Sequence, residues 1–287
     1  MSWRIRFAAF VVAVSSLCGA SAMAQVLYAA TGSNGRPGTL FTIDTATGRI
    51  LSSAPIMLGA TQICITGLAA NPFTNLLYGI VSNNCATNNG ALVTIDPTNG
   101  AATFIGNTGG GSDLAFSPGG ILYMWQQSTT ALATVDLTTG VATTIGASGL
   151  PGTTGGGVAV IGSTVYVAPN GASGPLATIN TTTGAGTVVA TLNGAPFTAA
   201  INAMAFGGGA LYGVDSDTGG PANTRLVRID PAGGAVTLVG TLPLDIDALA
   251  FGPAAGVPTL GNGMMIAMFA AMFALGLLAI RRNSLRA

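Results

Sequence analysis

A nine-residue pattern, Leu-x-x-Ile/Val-Asp/Asn-x-x-x-Gly, occurs five times in this chain and constrains its fold more than any other feature. The first part of each copy alternates in polarity, which is the period of a β-strand. The Asp or Asn side chain can accept a hydrogen bond from the backbone two residues on, and the Gly adopts a positive φ that other residues resist. Each copy therefore predicts a strand that ends in a tight turn. The five copies begin at Leu40, Leu92, Leu132, Leu176 and Leu226.

The acidic residue of the pattern is predicted to act in the turn, because it recurs at one position before the Gly. A role for these carboxylates in metal binding or catalysis is the alternative. The residues concerned are Asp44, Asp96, Asp136 and Asp230, with Asn180 in the fourth copy.

Two further motifs recur between the copies. One is a six-residue motif that ends in x-Leu-Ala-Phe, as in Gly111–Phe116, and the other is Leu-Tyr-Gly, as in Leu77–Gly79. With the turn pattern and the Thr-rich strand after it, they give a unit of four strands, here named A, B, C and D in chain order. The units repeat at 52, 40, 44 and 50 residues, measured between the turn Asp or Asn positions. Four strands at such a spacing indicate a β-propeller.

The number of strands predicts five blades over residues 25–252, in an all-β fold. The first B strand, at Leu27, has no A strand before it, and the last A strand, Ile246–Phe251, has no B strand after it. We therefore expect the C-terminal strand to complete the first blade and close the ring. A six-bladed ring with one degenerate blade is the alternative, and a solenoid is disfavoured because it needs distinct caps.

This body resembles the broad family of NHL and YncE-like propellers, through its Leu-Tyr-Gly and Ile-Asp-x-x-Thr-Gly motifs. The resemblance implies a fold and little about activity, because propellers host lectins, hydrolases and plain scaffolds.

Charged residues are scarce and exclude several functions. The chain has nine Arg and nine Asp, with no Lys, Glu or His. Within the predicted propeller four Arg stand against nine Asp, so a basic surface for nucleic acid is absent. The lack of His, Lys and Glu removes the commonest general bases, which argues against an enzyme.

One end of the channel is the predicted ligand site, because the varied B-to-C loops and the D-to-A connections share that face. Polar residues near the start of the A strands would form a ring there, with two further Asp on a neighbouring loop. Such a ring would suit a sugar, a water cluster or Ca²⁺, which prefers oxygen ligands; a solvated opening without ligand is the alternative, and no cofactor is required. The residues are Thr66, Ser112, Asn202, Asp247, Asp215 and Asp217.

A glycoside hydrolase is the competing functional class, since acid/base hydrolysis needs two carboxyl groups roughly 5–10 Å apart. The candidates are Asp113, Asp247, Asp215 and Asp217. No nucleophile elbow, zinc-binding spacing or phosphate-binding loop is present.

Two cysteines, Cys64 and Cys85, fall on the predicted loop face. In an exported protein they predict a disulfide, with two free thiols as the alternative.

The N-terminus predicts export. Arg4 and Arg6 precede an apolar run and an Ala22-Met23-Ala24 cleavage site, typical of a secretory signal peptide over residues 1–24. An uncleaved anchor, or a lipoprotein signal at Cys18, is the alternative.

The C-terminus predicts a membrane anchor. Residues 264–280 are apolar and long enough to span a bilayer, and Arg281 and Arg282 would retain residues 281–287 in the cytoplasm. A buried core helix is the alternative.

The linker before that span, residues 253–263, carries the short motif Val-Pro-Thr-Leu at 257–260. Together the motif, the span and the Arg pair resemble the IPTL-CTERM sorting tail of Gram-negative bacteria, although Val257 replaces Ile and 261–263 replace Ser-x-Trp. The resemblance implies processing by an exosortase-type enzyme and delivery to the cell surface. The motif is Val257, Pro258, Thr259 and Leu260.

These features predict an exported, surface-directed propeller with a binding or structural role in the cell envelope. Its expected partners are the sorting enzyme, the membrane and an extracellular polysaccharide. A passive surface coat without a ligand is a further alternative.

Overall fold

The structure is a computed structural model that describes residues 25–253, apart from 75, 127, 152–154, 171–173, 195–196, 198–199 and 217–223. Within these ranges the chain forms twenty-two strands and one short 3-10 turn, Ser33–Gly35. The A strands are β22 (Ile246–Pro253), β6 (Ile65–Ala70), β10 (Asp113–Phe116), β14 (Gly156–Ile161) and β18 (Ile201–Gly207). The B strands are β1 (Gln25–Thr31), β7 (Leu77–Val81), β11 (Leu122–Trp125), β15 (Thr164–Pro169) and β19 (Ala210–Ser216). The C strands are β2 (Thr39–Ile43), β8 (Ala91–Ile95), β12 (Ala131–Val135), β16 (Pro175–Ile179) and β20 (Thr224–Ile229). The D strands are β3 (Ile50–Pro55), β9 (Ala101–Asn107), β13 (Ala142–Ala147), β17 (Gly186–Thr191) and β21 (Val236–Leu242).

The strands form five antiparallel blades, each in the order A-B-C-D from the channel outward, which confirms the predicted propeller. The C-terminal strand β22 pairs with β1 from Gln25 opposite Pro253 to Thr31 opposite Ile246. The first blade is thus assembled from the two ends of the described chain, as the unpaired A and B motifs predicted. This pairing closes the ring without a covalent link.

Five apolar cores hold the ring together, one between each pair of neighbouring blades. Strand β1 shows how one strand supplies two of them. Leu27 and Ala29 pack toward blade 5, whereas Tyr28 and Ala30 pack toward blade 2. Because successive side chains point to opposite faces and both faces are buried, the inner strands are apolar almost throughout.

The C-to-D turns have the predicted chemistry. In each turn the Asp or Asn Oδ1 accepts a hydrogen bond from the backbone N–H two residues on, at 2.8–3.0 Å. The Gly that ends each turn has a φ between +71° and +80°. The carboxylates are therefore turn residues. The pKa of Asp96 lies below its ordinary value, chiefly because the Thr98 hydroxyl donates to it at 2.6 Å.

The turn Gly residues have a second role that the sequence did not reveal. Each lies against the backbone of the preceding blade, so a Cβ on Gly140 would come within 2.7 Å of Gly106, and one on Gly184 within 2.5 Å of Gly146. Gly48 makes the same contact with Gly240 across the closure. These close approaches bring the backbones of neighbouring blades into contact at the outer edge of the ring, here called the rim, where the C-to-D turns lie.

The outer strands carry two features that the repeat did not predict. Each C–D pair shifts register once: between Leu132 and Ala133 of β12, for example, the β13 residue Ile145 has no partner. Blade 2 also gains a short hairpin, β4 (Met57–Leu58) and β5 (Thr61–Gln62), in which β4 runs parallel to β9 along its outer edge.

Several predicted segments lie outside the described residues. These are the signal peptide at 1–24, the sorting motif Val257–Leu260, the membrane span at 264–280 and the Arg281–Arg282 pair. Within the described ranges, no helix is long and apolar enough to cross a membrane.

Candidate functional site

The loop-side opening of the channel is a polar cavity of about 230 Å³, called the pit below. Its inner wall consists of the second residue of every A strand motif, so the repeat itself places five different residues at one level. The loops add the remaining lining. The lining residues are Thr66, Ser112, Gly156, Asn202, Asp247, Asn34, Ser82, Asn84, Gly155 and Asn170.

Hydrogen bonds connect the polar side chains of the pit across the blades. Thr66 Oγ1 donates to Asp247 Oδ2 at 2.9 Å, and Ser112 Oγ lies 3.0 Å from the carbonyl oxygen of Gly156. On the other side, Asn170 Nδ2 donates to Asn202 Oδ1 at 3.1 Å. Asn202 in turn donates to Ser216 Oγ at 2.7 Å. The ring is therefore organised in advance of any ligand.

Two tethers hold loops over the pit. The disulfide Cys64–Cys85, with Cα atoms 5.8 Å apart, is present as predicted and fixes the loop that carries Ser82 and Asn84. In blade 1, Asn34 donates to Asp245 Oδ1 at 2.7 Å, and Arg36 forms an ion pair with the same carboxylate. The tether to Asp245 was not anticipated, because Asp245 is more than 200 residues away in sequence.

Asp113 lies one level below the pit and is fully buried on the channel axis. Its Oδ2 accepts hydrogen bonds from the backbone N–H groups of Val158 and Met204, at 2.8 and 3.0 Å, and its Oδ1 accepts one from Leu114 at 2.9 Å. One carboxyl group thus joins the A strands of blades 3, 4 and 5. Burial raises the pKa of Asp113 well above its ordinary value; the three N–H groups oppose that rise, while the charge of Asp247 adds to it.

The structure brings together four of the six predicted ligand residues, namely Thr66, Ser112, Asn202 and Asp247. Asp215 is buried on β19, 3.2 Å from Arg225 Nη1, and is not among the described residues that line the pit. Asp217 lies outside the described residues. In the described part of the chain, no three Cys or Asp side chains cluster as metal ligands would.

The opposite opening, here called the basin, is larger, with a volume of about 990 Å³. Its floor is formed by the sixth residue of each A strand motif, and a small cavity of about 70 Å³ between the A strands lies beneath it. The sequence contained a signal, since the motif ends in Phe in three blades, but the motif alone does not show that these strand ends border an opening. The floor residues are Ala70, Phe116, Val160, Phe206 and Phe251.

A solved structure shares the fold, and a second is less similar. A chain from the crystal structure of a nidogen/laminin complex is 12% identical, with a TM-score of 0.52, over 80% of this chain and 98% of that one. A protein of unknown function from Bacteroides caccae is 13% identical, with a TM-score of 0.49, over 80% of this chain and 99% of that one. At such identities the first likeness is one of fold alone. No curated protein matches the chain.

One protein family matches as well. Its sequence profile, described as a repeat of unknown function, DUF6923, covers residues 120–268, just over half of the 287 residues. The matched region includes blades 4 and 5 and most of blade 3, which agrees with a family defined by the blade repeat. The chain therefore belongs to the DUF6923 repeat family.

Proposed function

We propose that this chain is an exported, non-catalytic propeller that binds a glycan of the cell envelope or extracellular matrix through the pit. The observation that carries the proposal is the ring of hydroxyl and amide groups that lines the pit. Such groups both donate and accept hydrogen bonds, as sugar hydroxyls do. Asn170 contributes through its amide Nδ2, which already donates to Asn202 Oδ1 and so orders the ring.

The size of the pit limits what it would hold. Its 230 Å³ lies below the roughly 300–1,000 Å³ of pockets that enclose a whole drug-sized ligand. A single sugar ring at the end or in a branch of a larger glycan is the ligand that we propose.

The surroundings of the acidic residues support a non-catalytic role. Hydrolysis of a glycosidic bond needs two carboxyl groups that reach the substrate. Both oxygens of Asp113 accept backbone hydrogen bonds out of contact with solvent, and Asp215 is paired with Arg225. Of the described candidates, only Asp247 lines the pit.

The disulfide supports export. Disulfides persist in oxidising compartments and are rare in the cytosol. Together with the signal peptide predicted at residues 1–24 and the sorting tail predicted at Val257–Leu260, the Cys64–Cys85 bond favours a location beyond the inner membrane.

Binding at the pit can be tested by fluorescence, because Trp125 is the one tryptophan of residues 25–253 and its carbonyl oxygen contacts Ser112. We expect titration of the full-length protein with glucose, mannose and N-acetylglucosamine oligosaccharides to shift its emission. Asn202→Ala should weaken binding roughly tenfold, because it removes partners of both Asn170 and Ser216. Thr182→Ala, in an exposed C-to-D turn, is the control and should bind normally. Unchanged binding by Asn202→Ala would exclude the pit as the site.

Asp247→Ala separates the binding module from the competing hydrolase. Loss of measurable turnover in a folded variant would establish an enzyme, whereas weaker binding with no turnover in either protein would support the module.

Export and sorting can be tested by intact mass and fractionation of the protein from its own host. A mass from Gln25 to a cut near Val257–Leu260, outside the inner membrane, is the expected result. A mass that runs to Ala287 in the inner membrane would mean that the tail is an ordinary anchor.

A further inference from the structure

The basin differs from the pit in chemistry as well as in size. We infer that it is a second binding site, and that it takes a segment of an uncharged polysaccharide. The inference rests on the proposed function for the class of partner, and it extends that function to a surface at the other end of the channel.

Aromatic rings give the basin its character. Phe73, in the A-to-B turn of blade 2, is 72% exposed, and Phe206 on the floor is 36% exposed. Exposed aromatic rings of this kind can pack against the C–H faces of a pyranose, which are apolar although the edges of the sugar are polar. The basin therefore offers platforms for sugar rings, whereas the pit offers hydrogen bonds.

Other contacts fix the floor before a ligand arrives. Phe116 packs edge-on against Tyr78, with ring centroids 5.3 Å apart. Phe251 lies 5.4 Å from Tyr212, whose own ring is covered by the Arg228 guanidinium at 5.7 Å. A floor that is already ordered loses little conformational freedom on binding, which favours affinity.

The charge of the lining residues limits which class of ligand the basin can bind. No Asp or Arg is among the described residues that line the basin. An anionic polymer would lose hydration there without a cationic partner among the lining residues, since the Arg228 guanidinium lies over the Tyr212 ring and does not line the basin. The edge of the basin instead carries neutral amide and hydroxyl groups, which suit the hydroxyls of an uncharged sugar. They belong to Gln25, Thr45, Asn71, Thr74 and Ser117.

The polar groups at the edge of the basin also argue against a purely apolar ligand. An acyl chain or apolar peptide would cover amide and hydroxyl groups without pairing them, and each buried unpaired group costs roughly 1–3 kcal/mol. A sugar satisfies both parts of the surface at once.

The turns around the basin suit a chain rather than a single ring. In blades 2 and 3 the A and B strands are joined by residues 71–76 and 117–121, whereas in blades 4 and 5 only 162–163 and 208–209 join them. In blade 1 the A and B strands are paired but not consecutive, so no turn joins one directly to the other. Among the described residues the wall is therefore built mainly by blades 2 and 3, and an extended polymer can leave over the short turns of blades 4 and 5.

Calorimetry on the full-length protein tests the inference, with cellohexaose and mannohexaose as uncharged probes and hexagalacturonate as the charged one. We expect binding of an uncharged probe, and roughly tenfold weaker binding for Phe206→Ala and for Phe73→Ala. Phe104→Ala is the matched control, because Phe104 is 52% exposed on the outer strand β9, and it should bind normally. Phe73 stands in an exposed turn, so its variant keeps the test valid if Phe206→Ala does not fold.

The outcomes separate this inference from the pit. Loss of binding in the two basin variants, with Asn202→Ala unaffected for the same probe, would establish the basin as an independent site. Loss in Asn202→Ala alone would overturn the basin and retain the pit. Equal binding of hexagalacturonate, or no binding of either uncharged probe, would overturn the proposal of an uncharged polysaccharide.

Discussion

The rim of this propeller, formed by the C-to-D turns, and its axis, formed by the A strands, are built from the same repeat. The turn residues are nearly the same in all five blades, whereas the axial residues differ from blade to blade. At the rim, five turns use one chemistry: an Asp or Asn that accepts a backbone N–H, and a Gly that touches the preceding blade. Along the axis, the same level of five A strands carries Thr66, Ser112, Gly156, Asn202 and Asp247. Positions that are the same in every blade therefore have a structural role, and positions that differ between blades form the surface that can recognise a specific ligand.

Asp113 is the sharpest contrast with the turn Asp residues. It occurs at a level where the other blades have Gly or Ala, and it serves three blades instead of one turn. Asp113→Ala should lower the free energy of unfolding by about 3–5 kcal/mol, since it leaves the buried N–H groups of Val158 and Met204 unpaired. Urea unfolding measures the loss.

The matched substitution at the rim is Asp96→Ala. It should cost only about 0.5–1 kcal/mol, because solvent can replace the lost contacts of this largely exposed turn. If the two variants were equally stable, the axial carboxyl group would not be the joint between blades that its contacts indicate.

The contacts of the turn Gly residues can be separated from their φ angles. Gly140→Ala should cost about 2–3 kcal/mol, because its Cβ would meet the Gly106 backbone and φ is +74°. Gly59→Ala is the control: its φ is +60°, but a Cβ there meets nothing within 4 Å, and about 1 kcal/mol is expected. Equal losses in thermal unfolding would leave backbone strain as the whole effect.

The pH dependence of stability should differ in sign between axis and rim. Folding raises the pKa of Asp113, so its contribution is complete below the ordinary pKa of 3.8 and is lost as pH rises through the raised value. Folding lowers the pKa of Asp96, so its contribution is complete above 3.8 and is lost as pH falls through the lowered value.

Each contribution to the pH dependence can be removed by replacing the carboxyl group with an amide, which does not titrate. Asp113→Asn should flatten the loss of stability as pH rises, and Asp96→Asn should flatten the loss as pH falls, with Tm differences of roughly 1–3 °C across the titration. The same pH profile in both variants would contradict the contrast.

The sequence predicted much of the fold because each blade repeats its turn, and the pit because polar residues recur at the second position of the A strands. It could not predict the partners of Asp113, since Val158 and Met204 are 45 and 91 residues away. The basin was missed for a related reason. Phe116, Phe206 and Phe251 have the pattern of core residues, and only the three-dimensional level of their strand ends shows that they border an opening.

The register shift in every C–D pair has a consequence for the outer edges. Strands β3, β13, β17 and β21 have no charged residue, and this chain has no lysine with which to discourage edge-to-edge pairing. A bulge twists an edge away from the flat geometry that a second strand needs. These four outer strands can thus lack charged side chains and still disfavour pairing with a second chain, because backbone geometry takes the place of surface charge.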